Sequence, residues 1–284
     1  MRDKALRLLA LHRGPAPLLL PNAWDCATAR ILEQAGFPAV ATSSAAIAFA
    51  RGYPDGEVIS REEMLEEVAR IARAVSIPVT ADMEAGYGDT PEAAHRTAIG
   101  VLDAGAVGLN LEDGDPGPGG PLHGLEKQVA KIRAVREAAE SRGVPLVLNA
   151  RTDVYLDAVG PEAGRFDETV RRGLAYRDAG ADCVFVPGLA DEEVIGELVR
   201  RLECPVNILA SAAGPSIGAL ARLGVARVSL GSAPMRAAMT LLRRLAEELR
   251  ALGTYSELEG IVTHASMNEL MRGPRTGDGR SPTA

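Results

Sequence analysis

A TIM-type (β/α)8 barrel is the fold class this α/β sequence predicts, on three observations. Eight short apolar runs each precede a longer segment of helical periodicity. Three helical segments close on the same small turn, Gln34-Ala35-Gly36, Asp103-Ala104-Gly105 and Asp178-Ala179-Gly180, where glycine accepts the left-handed conformation that stops a helix. The length of 284 residues suits a fold that occupies about 250. A doubly wound sheet is the competitor, but the glycines do not form its dinucleotide-binding fingerprint.

The strands read as Leu18–Leu20, Ala39–Thr42, Pro78–Ala81, Val107–Leu111, Leu146–Asn149, Cys183–Val186, Val206–Leu209 and Arg227–Leu230. The helices between them read as Trp24–Ala35, Arg61–Val75, Pro91–Ala104, Leu125–Ser141, Phe166–Ala179, Asp191–Leu202, Pro215–Leu223 and Ala233–Ala251. Ser60 with Glu63 makes a capping box for the second of these, and Thr90 caps the third with proline at its first position. A further helix, Ser256–Met271, is not needed to close a barrel. Its apolar residues Leu258, Ile261, Val262, Met267, Leu270 and Met271 require another surface, and a neighbouring subunit is the economical one. Residues 1–272 therefore read as one barrel domain with an extra helix, and the Gly/Pro/Arg/Ser-rich residues 273–284 as a disordered tail.

Hydrophobic residues make up 46% of the chain and charged ones 24%, an ordinary balance for a soluble globular protein. The net charge of −7, with acids and bases interleaved along the helices, argues against a nucleic-acid footprint. No apolar run approaches the roughly 20 residues that span a bilayer, and Met1 to Leu6 lacks a signal-peptide core, so a cytoplasmic location is expected. Cys26, Cys183 and Cys204 have no metal-type spacing, which excludes a structural zinc site or disulfide scaffold as the organising device.

Chemistry in such a barrel is sought at the carboxyl ends of the strands. Those positions carry Asn22, Trp24 and Asp25 after the first strand and Ser43 and Ser44 after the second. Asp82 and Glu84 follow the third, Glu112 and Asp113 the fourth, Arg151 and Asp153 the fifth. Asn207 and Ser211 belong to the seventh, and Ser232 follows the eighth. Residues two apart on an extended chain share a face, so Asp82 and Glu84 can aim at one point, where a hard divalent cation would suit them. Arg151 can receive a substrate carboxylate, or pair structurally with Asp153. Ser43 and Ser44 offer hydroxyls and N–H groups to a second anionic group, or form a simple turn. Arg51 to Gly56 reads as a loop reaching back over the site, with Tyr53 and Asp55 as its polar contributors. His123 fits either a general acid or base or a cap for the following helix.

Four stretches in order resemble the isocitrate lyase/phosphoenolpyruvate mutase superfamily. They are Gly52-Tyr53-Pro54-Asp55, Ala81 to Gly88 (ADMEAGYG), Asn110-Leu111-Glu112-Asp113 and Asn149 to Asp153 (NARTD). The resemblance runs from about Pro21 to Arg236 and implies a barrel whose C-terminal helix is exchanged between subunits of a homodimer or homotetramer. It also implies Mg2+, with Mn2+ as an alternative, and a small 2-oxo or 2-hydroxy acid substrate that passes through an enolate. By position it implies Asp82, Glu84 and Glu112 as the metal set, Asp55 as a loop acid, Arg151 as the carboxylate-binding arginine, and Ser43 and Ser44 as the grip on a carboxylate. Tyr53 and His123 are further catalytic candidates, and Trp24 and Asn207 further substrate contacts.

The departures narrow the reaction. Isocitrate and methylisocitrate lyases carry a cysteine acid on the loop after the fourth strand, but here Gly114 to His123 reads GDPGPGGPLH, without cysteine or lysine. The mutase-type lysine and asparagine are replaced by Pro118 and Gly120, and the mutase-type histidine after the sixth strand falls near Pro187. The resemblance thus implies a Mg2+-dependent carbon–carbon lyase without that cysteine. The alternatives are a decarboxylase, hydrolase or C–P enzyme acting on an oxaloacetate-like or phosphonate substrate, or a 2-oxo acid binding protein with little catalysis.

Overall fold

The structure, a computed structural model, describes residues 1–115 and 121–272. Its frame is a parallel sheet of nine strands in the order β1-β9-β8-β7-β6-β5-β4-β3-β2. The strands are β1 (Leu18–Leu20), β2 (Asn22–Ala23), β3 (Val40–Thr42), β4 (Val79–Asp82), β5 (Gly108–Glu112), β6 (Val147–Arg151), β7 (Cys183–Val186), β8 (Val206–Leu209) and β9 (Arg227–Ser229). β1 pairs with β9 and β2 pairs with β3, and only Pro21 separates β1 from β2. The first barrel strand is therefore one run interrupted at a residue without an N–H donor, and it closes the ring by pairing on both sides. Pro21 still accepts the N–H of Ala41 at 3.0 Å. All eight predicted strands are present, with no end shifted by more than two residues.

The helices are α1 (Arg2–Leu11), α2 (Cys26–Gln34), α3 (Ser44–Arg51), α4 (Arg61–Ala74), α5 (Pro91–Asp103), α6 (Leu125–Ser141), α7 (Glu162–Asp178), α8 (Glu192–Leu202), α9 (Ile217–Arg222), α10 (Ala233–Leu252) and α11 (His264–Arg272). The Ser60–Glu63 capping box and the Thr90 cap form as the sequence predicts. α1 and α3 were not expected. α1 begins without a side-chain cap, so no start signal marks it. The small residues of α3 leave a simple turn open as one alternative, yet the Ser43 hydroxyl accepts from the Ala46 N–H at 3.4 Å and Gly52, at φ +85°, ends a helix there. Asp25, which the sequence places at a strand end, instead caps α2 in a reciprocal capping box with Thr28.

α1 closes the amino end of the barrel. Ala5 and Leu8 are fully buried and join Leu18, Leu20, Ala39, Ala41, Val107 and Val147 in one apolar cluster. Gly108 is needed there, since a Cβ at that position would meet Thr80 Oγ1 at 2.5 Å and Leu8 Cδ2 at 2.9 Å. The barrel's larger apolar cores lie between strands and outer helices, around Met64, Leu109 and Ile132 on one side and Val184, Leu198 and Ile208 on the other.

The helix expected over Ser256–Met271 is broken: a 3-10 turn at Ser256–Leu258 is followed, after Gly260, by α11. α11 lies against α2 of the same chain, where Arg30 donates to the carbonyls of Leu270 (3.0 Å) and Met271. Leu258, Ile261, Val262 and Met271 remain exposed, as do Met239, Leu242, Leu249 and Leu252 of α10, whose one buried residue is Met235. The expected tail, 273–284, lies outside the described residues, as do 116–120 within the loop after β5.

Candidate active site

At the carboxyl end of the barrel two adjoining chambers open. The inner one, about 130 Å3, is bordered by Ser43, Ser44, Asp55, Asp82, Asn110 and Arg151, with Phe185, Leu209 and Ser229 completing its wall. The outer one, about 340 Å3, is bordered by Asp55, Glu57, Glu84, Glu112, Arg151 and Asp153. Asp55, Arg151 and Leu156 belong to both. The strand geometry explains the convergence: β4 pairs Asp82 with Asn110, and β5 pairs Glu112 with Arg151, so inward-facing residues of adjacent strands sit side by side.

Each polar side chain is held by a different partner. Asp82 Oδ2 accepts from the Ser44 N–H (3.1 Å) and Oγ (2.9 Å), which places the carboxylate at the N-terminus of α3, where unsatisfied N–H groups favour negative charge. Asn110 Nδ2 faces Asp82 Oδ1 at 3.5 Å, and the Asp82 N–H donates to Thr42 Oγ1 at 2.9 Å. Arg151 is engaged twice, with Nη1 at 2.5 Å from Glu112 Oε2 and Nε donating to Asp153 Oδ1 at 2.6 Å. Its guanidinium also lies 5.8 Å from the centre of the Phe185 ring. Burial works against the Arg151 charge, but Glu112, Asp153 and Asp82 outweigh it and raise its pKa.

The acids crowd one another. Burial first, then Asp82 and Asp55, push Glu84 up to about 8. Burial and Asp82 raise Asp55. Glu112 is raised mainly by burial despite Arg151, and Asp153 is pushed to about 6 by burial, with Arg151 opposing. Glu84 Oε1 is buried without a hydrogen-bond partner among the described residues. An orphaned carboxylate oxygen among mutually repelling acids is a donor set that a divalent cation would neutralise, so the residues fit such an ion. Within this structure their oxygens are turned to separate partners. The described residues whose ligand atoms do converge, within 4.8 Å, are Asp89, Asp115 and His123. There His123 sits between the two acids and Lys127 Nζ lies 3.2 Å from Asp89.

The loop carrying Glu84 is bent in an unusual way. Glu57, Glu84 and Tyr87 have φ of 59°, 50° and 56°, a left-handed conformation that strains residues with a Cβ. They hold one another: the Glu57 N–H donates to Glu84 Oε2, and the Tyr87 N–H donates to Glu57 Oε1 at 2.7 Å. Fully buried Lys131 donates to the carbonyls of Ala85 and Gly88, and burial lowers its pKa to about 8. Sequence reading missed both Glu57 and Lys131. Lys131 left a signal: Gln128, Lys131, Ile132 and Val135 share the buried face of α6, and a lysine on an apolar stripe needs a partner.

Other expected site residues lie elsewhere. The Tyr53 hydroxyl donates to Glu63 at 3.3 Å and its ring packs on the outer core. Trp24 packs against the same core, and its N–H donates to Thr28 Oγ1. Asn207 is fully buried within the barrel and accepts from the Ser229 hydroxyl at 3.3 Å. Ser43, by contrast, borders the inner chamber while its hydroxyl caps α3. Asp113, which sequence placed beside Glu112, is an internal anchor that accepts from Arg172 (3.0 Å), Tyr176 (2.6 Å) and the Asp153 N–H (2.9 Å). Cys183 and Cys204 lie at the amino ends of β7 and β8, and burial raises both thiols, Cys204 to about 11.

The model of the phosphoenolpyruvate phosphomutase family matches residues 8–250. A 2-methylisocitrate lyase of Bacillus subtilis (strain 168) is 33% identical over 215 residues, 74% of this chain and 67% of the relative. A crystal structure from Burkholderia cenocepacia J2315 is 38% identical with a TM-score of 0.90, covering 96% of this chain and 97% of the other. A phosphonopyruvate hydrolase crystallised with oxalate and Mg2+ is 27% identical with a TM-score of 0.83, over 95% of each chain.

Proposed function

Because the chain belongs to the isocitrate lyase/phosphoenolpyruvate mutase superfamily, we propose that it is a lyase acting at the bond next to the 2-oxo or 2-hydroxy group of a small carboxylic or dicarboxylic acid. The observation that carries this reading is the inner chamber. There a carboxylate at a helix N-terminus, Asp82, shares a volume of about 130 Å3 with a guanidinium, Arg151. That volume suits a molecule the size of a short oxo acid.

Asp82, Glu84 and Glu112 would hold a Mg2+ or Mn2+ ion, directly or through water. When bound, the ion supplies positive charge to the oxygen that becomes an enolate. Arg151 receives the substrate carboxylate on its Nη2 edge, the edge not taken by Asp153 or Glu112. The Ser44 segment orients Asp82 by two hydrogen bonds. Asp55, which borders both chambers and whose pKa is raised, is placed to carry the proton. A second copy of the chain covers the exposed apolar residues of α10 and of the segment after it, in keeping with the homo-oligomer that the resemblance implies.

A second reading, decarboxylation or hydrolysis, is favoured by one observation: among the described residues bordering the chambers there is neither cysteine nor lysine, so a bound water is the simpler proton source. Turnover of methylisocitrate, isocitrate, oxaloacetate and phosphonopyruvate, each with and without Mg2+, separates the readings. Product from one of the first two supports the lyase, and product from one of the last two supports the second reading. Tight binding of oxalate with no turnover of any would leave a binding protein and overturn both.

A further inference from the structure

We propose that Arg227, at the foot of β9, is a positioning residue that aims Asp82 toward the metal through Asn110. The inference rests on the reading of Asp82 as a metal ligand. Arg227 heads the fully buried side chains by size, in a barrel interior that such folds ordinarily fill with branched aliphatic residues. It makes no ion pair with a carboxylate among the described residues, and its Nε and Nη1 have no hydrogen-bond partner. A buried guanidinium left in that state is expensive, so its one bond requires explanation.

That bond runs from Nη2 to Asn110 Oδ1 at 3.3 Å. Asn149 Nδ2 donates to the same oxygen at 2.6 Å. With two donors on Oδ1, the Asn110 amide has one acceptable orientation, because turning it would set NH2 against NH2 and guanidinium. In that orientation Nδ2 faces Asp82 Oδ1 at 3.5 Å. Ser44 already holds Oδ2, so Asn110 supplies the restraint on the other oxygen, and Arg227 with Asn149 sets Asn110.

The surroundings leave the guanidinium directed upward. Below it, His12 on the end of α1 is kept neutral by burial and by Arg227 itself, with its pKa lowered to about 4. Beside it are Cys183 at the start of β7 and, in register on β8, Asn207. Asp82 is the carboxylate whose charge acts on it. Within the barrel the sequence of groups from floor to site is therefore Arg227, Asn110, Asp82.

The test measures Mn2+ affinity by electron paramagnetic resonance, alongside thermal unfolding, in the full chain. In wild type, Mn2+ binding that Asp82→Ala abolishes establishes the metal reading. Arg227→Met is then expected to stay folded and bind Mn2+ about tenfold more weakly, the scale on which groups orienting a ligand act. Arg227→Lys is expected to recover most of that affinity. Leu18→Ala, which loosens the strand partner of Arg227 without touching a polar group, is expected to lower the melting temperature and leave Mn2+ affinity unchanged. A folded Arg227→Met with wild-type affinity overturns the proposal. So does an equal loss in Leu18→Ala, or failure of both Arg227 variants to fold, which would assign the residue to stability. Wild type that binds no Mn2+, or Asp82→Ala that binds like wild type, sinks the metal reading itself and the proposal with it.

Discussion

The two mouths of the barrel are lined by the same strands and are opposite in character. At the amino end, α1 inserts Ala5 and Leu8 among apolar strand residues and the mouth is sealed. At the carboxyl end, Asp55, Asp82, Glu84 and Glu112 crowd together, with one carboxylate oxygen orphaned and a strained loop beneath. Within two to four strand residues the chain passes from apolar packing to polar or charged groups, as Leu20 to Asn22 and Val147 through Asn149 to Arg151 illustrate. The difference teaches where this molecule keeps its stability and where it keeps its chemistry. The sealed mouth is filled by apolar side chains, and the open one crowds acids whose repulsion a proton or a bound cation would relieve.

The sharpest way to break this contrast is at Asp82. Asp82→Ala is expected to weaken Mn2+ binding on the order of 100-fold or more, beyond the effect of an orienting group, while the melting temperature stays near wild type. A large loss of stability would show that the open end also supports the fold. The reciprocal variant, Leu8→Ala, is expected to cost about 2–5 kcal/mol by emptying a fully buried site, with Mn2+ affinity unchanged. Denaturant unfolding and metal titration on the same sample would read both, and a coupled fall would mean that the two ends are not independent.

The pH dependence at Glu84 is a smaller effect and sharpens the picture of repulsion. Its folded pKa of about 8 exceeds the ordinary value of 4.5, so the folded state holds the proton more tightly than the unfolded state. Its contribution to stability is therefore fully present below about 4.5 and lost as pH rises through about 8. Metal binding must expel that proton, so Mn2+ affinity is expected to rise by up to about tenfold per pH unit from 6 toward 8 and then level off. A flat profile in that window would remove Glu84 from the metal set. The smallest effect is expected at Tyr53. Its hydroxyl meets Glu63 rather than the chambers, so Tyr53→Phe should alter turnover by no more than about twofold, near the scale of ordinary surface changes. A larger loss would bring Tyr53 back to the site.

Much of the frame was legible because local signals repeat. Alternating apolar runs and periodic helices mark the eight units, and Ser60, Thr90 and the Ala-Gly turns mark their boundaries. α1 and α3 were not legible, the first for lack of a cap and the second because a run of small residues reads equally as a turn. At the site, the sequence puts Asp82, Glu112 and Arg151 at strand ends, and the structure gathers them around the two adjoining chambers. Glu57, Lys131 and Arg227 were missed. Each acts on a group more than 25 residues away, and a lone charged residue carries no local mark of its partner.

The sequence by itself determined the alternation of strand and helix, the end of the barrel that carries charge, and the family motifs from Gly52 to Asp153. Tertiary structure alone decided which oxygen meets which donor. It turned Ser44 to Asp82, Glu112 to Arg151, Asp113 to Tyr176 and Arg227 to Asn110. The physical reason is that propensity and periodicity depend on neighbours along the chain. Hydrogen bonds and charge repulsion inside a closed barrel depend on distances that exist only once all eight units have come together.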